Sequence, residues 1–171
     1  MQFIPARRAF RLAAVLTAAL AIAACSKTPA EDENGGSLAG GGRAGYATPG
    51  SQQDFVVNVG DRVFFETDSS DLTPTAQATL DKQANWLQRY SRYSFTVEGH
   101  ADERGTREYN FALGARRAEV AKNYLASRGI SASRIRTISY GKERPVAVCD
   151  DISCWSQNRR AVTVLSGGGN T

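Results

Sequence analysis

The chain is poor in the residues that most chemistry needs: one histidine, one methionine, two tryptophans and three cysteines among 171 residues. The single histidine, His100, cannot supply a histidine-based zinc site, and it has no partner set for nucleophilic catalysis. The apolar run over residues 12–24 is too short for a membrane-spanning helix. A surplus of one charge sign is also missing once the chain is divided. Residues 1–24 hold three of the 21 basic residues and none of the 17 acidic ones, leaving 18 against 17, a formal +1. So small a balance gives no support for nucleic acid as a partner, which requires a clustered basic face. No internal repeat is evident.

What is present begins with an address. Arg7, Arg8 and Arg11 precede the apolar run with no acid among them, the pattern of a secretory signal over residues 1–24. Ile22, Ala23, Ala24 and Cys25 resemble a bacterial lipobox, the site where the signal is removed and the new N-terminal cysteine takes up acyl chains, palmitate among them. An ordinary secretory signal with a chance cysteine is the other reading. Under the first, Cys25 is an anchor and not a redox group. Ser26, standing where an acidic residue would retain the protein, is similar to lipoproteins sorted to the cell outer membrane, with the domain facing the periplasm. Residues 26–54 are rich in Gly, Ser, Ala, Pro, Asn and Gln, and include the acidic run Glu31, Asp32, Glu33. Such a stretch buries too little apolar surface to fold and reads as a tether, roughly 30 Å long as a coil and about 90 Å stretched. Residues 55–166 form one domain of ordinary size, and 167–171 a frayed tail.

Within that domain, strand and helix patterns alternate. Val63, Phe64 and Phe65 mark a short strand over residues 62–66. Thr73 followed by Pro74 is an N-cap and first-turn signal for a helix running to about Tyr90, with Ala76, Leu80, Ala84 and Leu87 on one face. Residues 93–99 alternate as a strand, Phe95 and Val97 opposite Thr96 and Glu98. A second helix starts near Thr106 or Arg107 and stops at Gly129. A turn at residues 131–133, a strand over 135–140, a loop holding Pro145, Cys149 and Cys154, and a last strand over 159–166 complete the chain. The expected fold is α+β: a mixed sheet with helices on one face and a βαβαβ core.

The second helix carries an anomaly. At about 100° per residue, Leu113, Val120, Ala121, Tyr124 and Leu125 share an arc, and Arg117 falls inside it while Arg116 falls outside. A guanidinium on the sheet-facing arc requires a carboxylate, or the end of the sheet and solvent. Asp102, in the loop before the helix, is the nearest candidate. Two readings of the pair stand. They neutralise one another and pin the loop to the helix, or they are held apart around a zwitterion, Asp102 taking an ammonium and Arg117 a carboxylate in bidentate fashion.

The residues from Gly99 to Thr106 (Gly-His-Ala-Asp-Glu-Arg-Gly-Thr) are followed by Tyr109-Asn110, Leu113-Gly114 and Arg116-Arg117-Ala118. Then come residues 139–143 (Ser-Tyr-Gly-Lys-Glu) and 158–162 (Asn-Arg-Arg-Ala-Val). Together they resemble the OmpA-like peptidoglycan-binding domain family, over about residues 63–165. That resemblance implies that Asp102 and Arg117 grip the diaminopimelate of the peptidoglycan stem peptide, an α-ammonium beside a carboxylate. It implies that Asp68, in the loop after the first strand, lines the site, with Thr106 and Asn110 as supporting polar residues at the helix start. The lipobox and tether match the lipid-anchored members of the Tol system rather than the barrel porins or flagellar motor proteins. This implies the periplasmic propeller protein TolB, and TolA, as partners, with a role in envelope integrity and cell division. The alternative is a generic wall-anchoring spacer without Tol partners. Ser69 and Ser70 depart from the Lys-Tyr common in the family after the loop aspartate.

Cys149 and Cys154, in an oxidising periplasm, are expected as a disulfide stapling the last loop and placing Trp155 against the domain. A metal there would need further ligands that are absent nearby. A wall hydrolase would need a nucleophile with its base, a zinc set or a placed pair of carboxylates. Glu98 and Glu103 read more simply as strand-face and loop charges, so no enzymatic activity and no cofactor are expected.

Overall fold

The computed structural model describes residues 47–167. The signal peptide, Cys25, the tether as far as residue 46, and residues 168–171 of the tail lie outside the described residues. Among the described residues, no helix is long and apolar enough to cross a membrane.

Four strands form one mixed sheet: β1 (Arg62–Phe64), β2 (Ser94–His100), β3 (Ile135–Gly141) and β4 (Arg160–Ser166), in the order β1-β4-β2-β3. β2 and β3 run parallel, with Val97 opposite Thr137, and β4 is antiparallel to both β1 and β2, with Val97 opposite Thr163. Period-two alternation sends Val63, Phe95, Val97 and Ala161 to one face, where they join a single buried core with Leu80, Ala84 and Leu87 of α2 (Pro74–Arg89) and Ala118, Ala121 and Leu125 of α3 (Arg107–Ser127). The fold is therefore α+β with α2 and α3 on one face. On the other face Phe64, Ile138 and Val164 remain largely exposed.

The start signals act as read. Thr73 Oγ1 accepts from Ala76 N at 3.2 Å, ahead of Pro74 at the first helical position. Thr106 caps α3 by accepting from Tyr109 N at 3.2 Å. At the other end Gly129 takes φ +91°, and its N–H reaches Ala126 O.

Two segments depart from the expectation. The ordered chain begins before residue 55: Ser51 caps a helical turn, α1 (Gln52–Asp54), that continues as a π-helical turn over Phe55–Val59. The reason is tertiary. Asp54 accepts from Trp86 Nε1 and from Gly50 N, each at 2.8 Å, and Phe55 is fully buried with its ring 4.9 Å from that of Trp86. The cysteine loop likewise holds a helix, α4 (Ile152–Asn158), capped by Asp151, whose carboxylate accepts from Ser153 N at 2.7 Å. Seven residues with an exposed Ile152 carry no apolar stripe from which a helix could be read.

Candidate functional site

Four pieces of chain converge at one end of the sheet: the β1–α2 loop, the β2–α3 loop, the first three turns of α3, and the α4–β4 junction. They enclose an open cavity of about 250 Å³ whose walls include Asp68, Asp102, Tyr109, Asn110, Arg117 and Arg159. Three larger surface clefts, of about 590, 610 and 550 Å³, contain neither Asp102 nor Arg117. The charged cavity is where chemistry concentrates. Two carboxylates, Asp68 and Asp102, face three guanidiniums, those of Arg104, Arg117 and Arg159, a local excess of one positive charge.

Arg117 is completely buried, as its place on the apolar arc requires, and it is not paired with Asp102. Its Nε donates to Ser69 O at 2.8 Å, Nη1 to His100 O at 2.8 Å and Nη2 to Glu66 O at 3.1 Å, while the guanidinium lies over the Phe65 ring at 5.2 Å. It thereby ties the end of β2 and the β1–α2 loop to α3. Three of its five N–H groups are engaged in this way, and two have no hydrogen-bond partner among the described residues. Burial, and then the charge of Arg159, push its pKa down to about 10, so it remains a cation at neutral pH.

Asp102 is nearly buried and is engaged by two other arginines. Its Oδ2 accepts from Arg104 Nη2 at 2.7 Å and Arg159 Nη1 at 3.2 Å, and its Oδ1 from Arg104 N at 3.2 Å and Nε at 3.3 Å. Burial works against this carboxylate, but the hydrogen bonds from Arg104 and Arg159 outweigh it and hold the pKa below the ordinary value. The expectation of a direct Asp102–Arg117 contact, one of the two readings, therefore does not describe the molecule.

Asn110, buried at the start of α3, donates to Arg104 O at 2.7 Å and fixes the loop that carries Asp102. Gly105, at φ +86°, lets that loop turn, and Lys142 Nζ holds it from outside through Gly105 O at 2.6 Å and Glu103 O at 3.1 Å. Asp68 adopts φ +56°, rare for a residue with a side chain, and accepts a hydrogen bond from the Tyr109 hydroxyl. That bond raises the Tyr109 pKa. Thr106 is not among the cavity walls; its hydroxyl is committed to the helix cap. His100 contributes only its carbonyl. Its ring is buried without hydrogen-bond partners, 3.6 Å from Glu98, and burial followed by Arg160, Arg144 and Arg62 pushes it down to about 4, leaving it neutral.

Sequence reasoning gave no role to Arg159, Arg104 or Tyr109. Arg159 follows α4 and is side by side with Arg160, and nothing local distinguishes the two. Only the fold shows Arg159 Nε on Phe65 O at 3.1 Å, with Arg159 O accepting from Phe65 N at 2.9 Å. Among the described residues, no group of three or more His, Cys, Asp or Glu side chains is placed to hold a metal ion.

With this geometry in view, the comparisons are specific. The OmpA family model matches residues 64–159, and the chain belongs to that family. It is 66% identical over 154 residues to the peptidoglycan-associated lipoprotein of Agrobacterium fabrum, covering 90% of this chain and 86% of the relative. It is 64% identical over 165 residues to the protein of that name from Rhizobium meliloti, covering 96% and 92%. The crystal structure of the peptidoglycan-associated lipoprotein from Burkholderia pseudomallei superimposes with a TM-score of 0.60 at 39% identity, covering 62% of this chain and 90% of that one. The C-terminal domain of Helicobacter pylori MotB, at 23% identity and a TM-score of 0.58, shares the fold.

Proposed function

We propose that this protein is a non-enzymatic lipoprotein of the outer membrane that binds peptidoglycan through the cavity between Asp68, Asp102 and Arg117. The observation that carries this reading is the buried guanidinium of Arg117 beside, but not paired with, the buried carboxylate of Asp102. A zwitterionic group, the ammonium and carboxylate at the free end of a diaminopimelate side chain, matches that separation of charge. Its carboxylate meets the two uncommitted N–H groups of Arg117 and the local positive excess. Its ammonium meets Asp102 and Asp68. The names of the relatives, peptidoglycan-associated lipoproteins, support both the ligand and the acyl anchor on Cys25. TolB and TolA remain the proposed protein partners, on the family resemblance, with envelope integrity and cell division as the role.

The test is co-sedimentation of the full chain with purified walls bearing diaminopimelate or lysine at the same position. Binding is expected to diaminopimelate walls and at least tenfold weaker to lysine walls, which lack the second carboxylate. Asp102→Asn, which keeps the side chain's size and removes its charge, is expected to weaken binding to both walls, since both carry the ammonium that Asp102 would hold. Equal binding to both walls would overturn the zwitterion reading.

A further inference from the structure

Asp102 is already occupied. Of its two cationic partners, Arg159 has a side chain only 5% exposed and is fixed by Phe65 O, whereas Arg104 has a side chain 41% exposed. Arg104 also makes three of the four hydrogen bonds to the carboxylate, two of them from its guanidinium and one from its backbone N–H. Its guanidinium thus sits where an incoming ammonium would have to go, and it is the exchangeable one of the pair.

Arg104 is held there by a distant part of the chain. Its guanidinium lies 4.2 Å over the ring of Trp155, and Trp155 Nε1 donates to the carboxylate of the neighbouring Glu103. Trp155 follows Cys154, which the structure joins to Cys149. Past the tryptophan, Asn158 secures α4 to the same loop by accepting from Val146 N at 2.8 Å and donating to Ala147 O at 2.8 Å. The platform is therefore braced on both sides, by the staple and by Asn158.

We infer that Arg104 is a latch on Asp102, held closed by Trp155, and that the wall ammonium binds by displacing it. Trp155 is a positioning residue: it acts on the ligand site only through Arg104, and the Cys149–Cys154 staple acts only through Trp155. This rests on the diaminopimelate reading above. The latch reduces apparent affinity by the fraction of molecules in which Asp102 is open. Loss of an exposed cation–π stack should thus strengthen ligand binding roughly two- to fivefold. Loss of the competing guanidinium itself should strengthen it by about tenfold.

The experiment is calorimetric titration of the full chain in detergent with a soluble muropeptide containing diaminopimelate, each variant first shown by thermal melting to be folded. Arg104→Gln and Trp155→Ala are expected to bind tighter than the parent, and Trp155→Phe, which retains the stack, to stay close to it. Cys149→Ala with Cys154→Ala should move affinity in the direction of Trp155→Ala. In the Arg104→Gln background, Trp155→Ala should add nothing, a non-additivity that a merely structural role would not produce. If Asp102→Asn abolishes binding while Arg104→Gln or Trp155→Ala binds no tighter than the parent, the latch is overturned and the site stands. If Asp102→Asn leaves binding unchanged, the site reading fails first. Additive effects of the two latch variants would also overturn the coupling.

Discussion

Arg117 is a structural residue before it is a binding one. Its side chain satisfies the carbonyls of Glu66 and Ser69, in one loop, and of His100, at the end of a strand. Truncation to alanine leaves all three without their partner in a buried region, at about 1 kcal/mol or more for each. Arg117→Ala is therefore expected to lose about 3–5 kcal/mol of unfolding free energy in a urea titration, out of the 5–15 kcal/mol typical of a domain. A loss under 1 kcal/mol would show that water or a repacked loop replaces the guanidinium. It follows that failure of Arg117→Ala to bind walls is weak evidence about the ligand, and the charge-only change at Asp102 is the cleaner probe. The sequence announced Arg117 because a cation on an apolar arc is a local anomaly visible on a wheel. It could not announce what the cation is bonded to, since its partners lie 17, 48 and 51 positions away. Arg159 shows the opposite case, a site residue whose surroundings in sequence carry no anomaly at all.

At the level of elements, the position of the site depends on how closely α3 lies on β2. Gly99 and Gly114 meet there backbone to backbone: a Cβ on Gly99 would stand 1.8 Å from Gly114 O, and one on Gly114 would stand 2.5 Å from Ser139 Oγ and 2.9 Å from Gly99 O. No rotamer relieves a clash between a Cβ and a backbone oxygen, so α3 must lift, carrying Asn110 and Arg117 with it. Gly99→Ala is expected to destabilise by more than about 3 kcal/mol, a cost typical of severe overpacking. A circular-dichroism melt superimposable on that of the parent would refute the close approach. Both glycines stand in the motif from which the family resemblance was read, yet their reason for being glycine is a contact between elements. Elements with a strong periodic stripe and a cap, such as α2, were legible. α1 and α4 were not, because each is short and held by contacts from elsewhere: Asp54 by Trp86, and Asn158 by the loop at Val146 and Ala147.

Across the whole molecule, the proposed function places two attachments at opposite ends of one chain: acyl chains on Cys25 and wall at the cavity. The fold includes Gly50, whose N–H donates to Asp54, so the tether ends several residues sooner than composition indicated. Residues 26–49 would still reach about 80 Å when stretched, at roughly 3.3 Å per residue. On the tether reading of the sequence, the two attachments are expected to act independently, because a Gly- and Ser-rich linker would transmit neither orientation nor strain. Cys25→Ala separates them. The variant is expected to be released from the outer-membrane fraction, to lack lipid by mass spectrometry, and to sediment with diaminopimelate walls as the parent does. Retention in the membrane without lipid would refute the anchor. Loss of wall binding in the released protein would instead mean that the tether does not insulate the domain, and that membrane attachment contributes to the grip at Asp102.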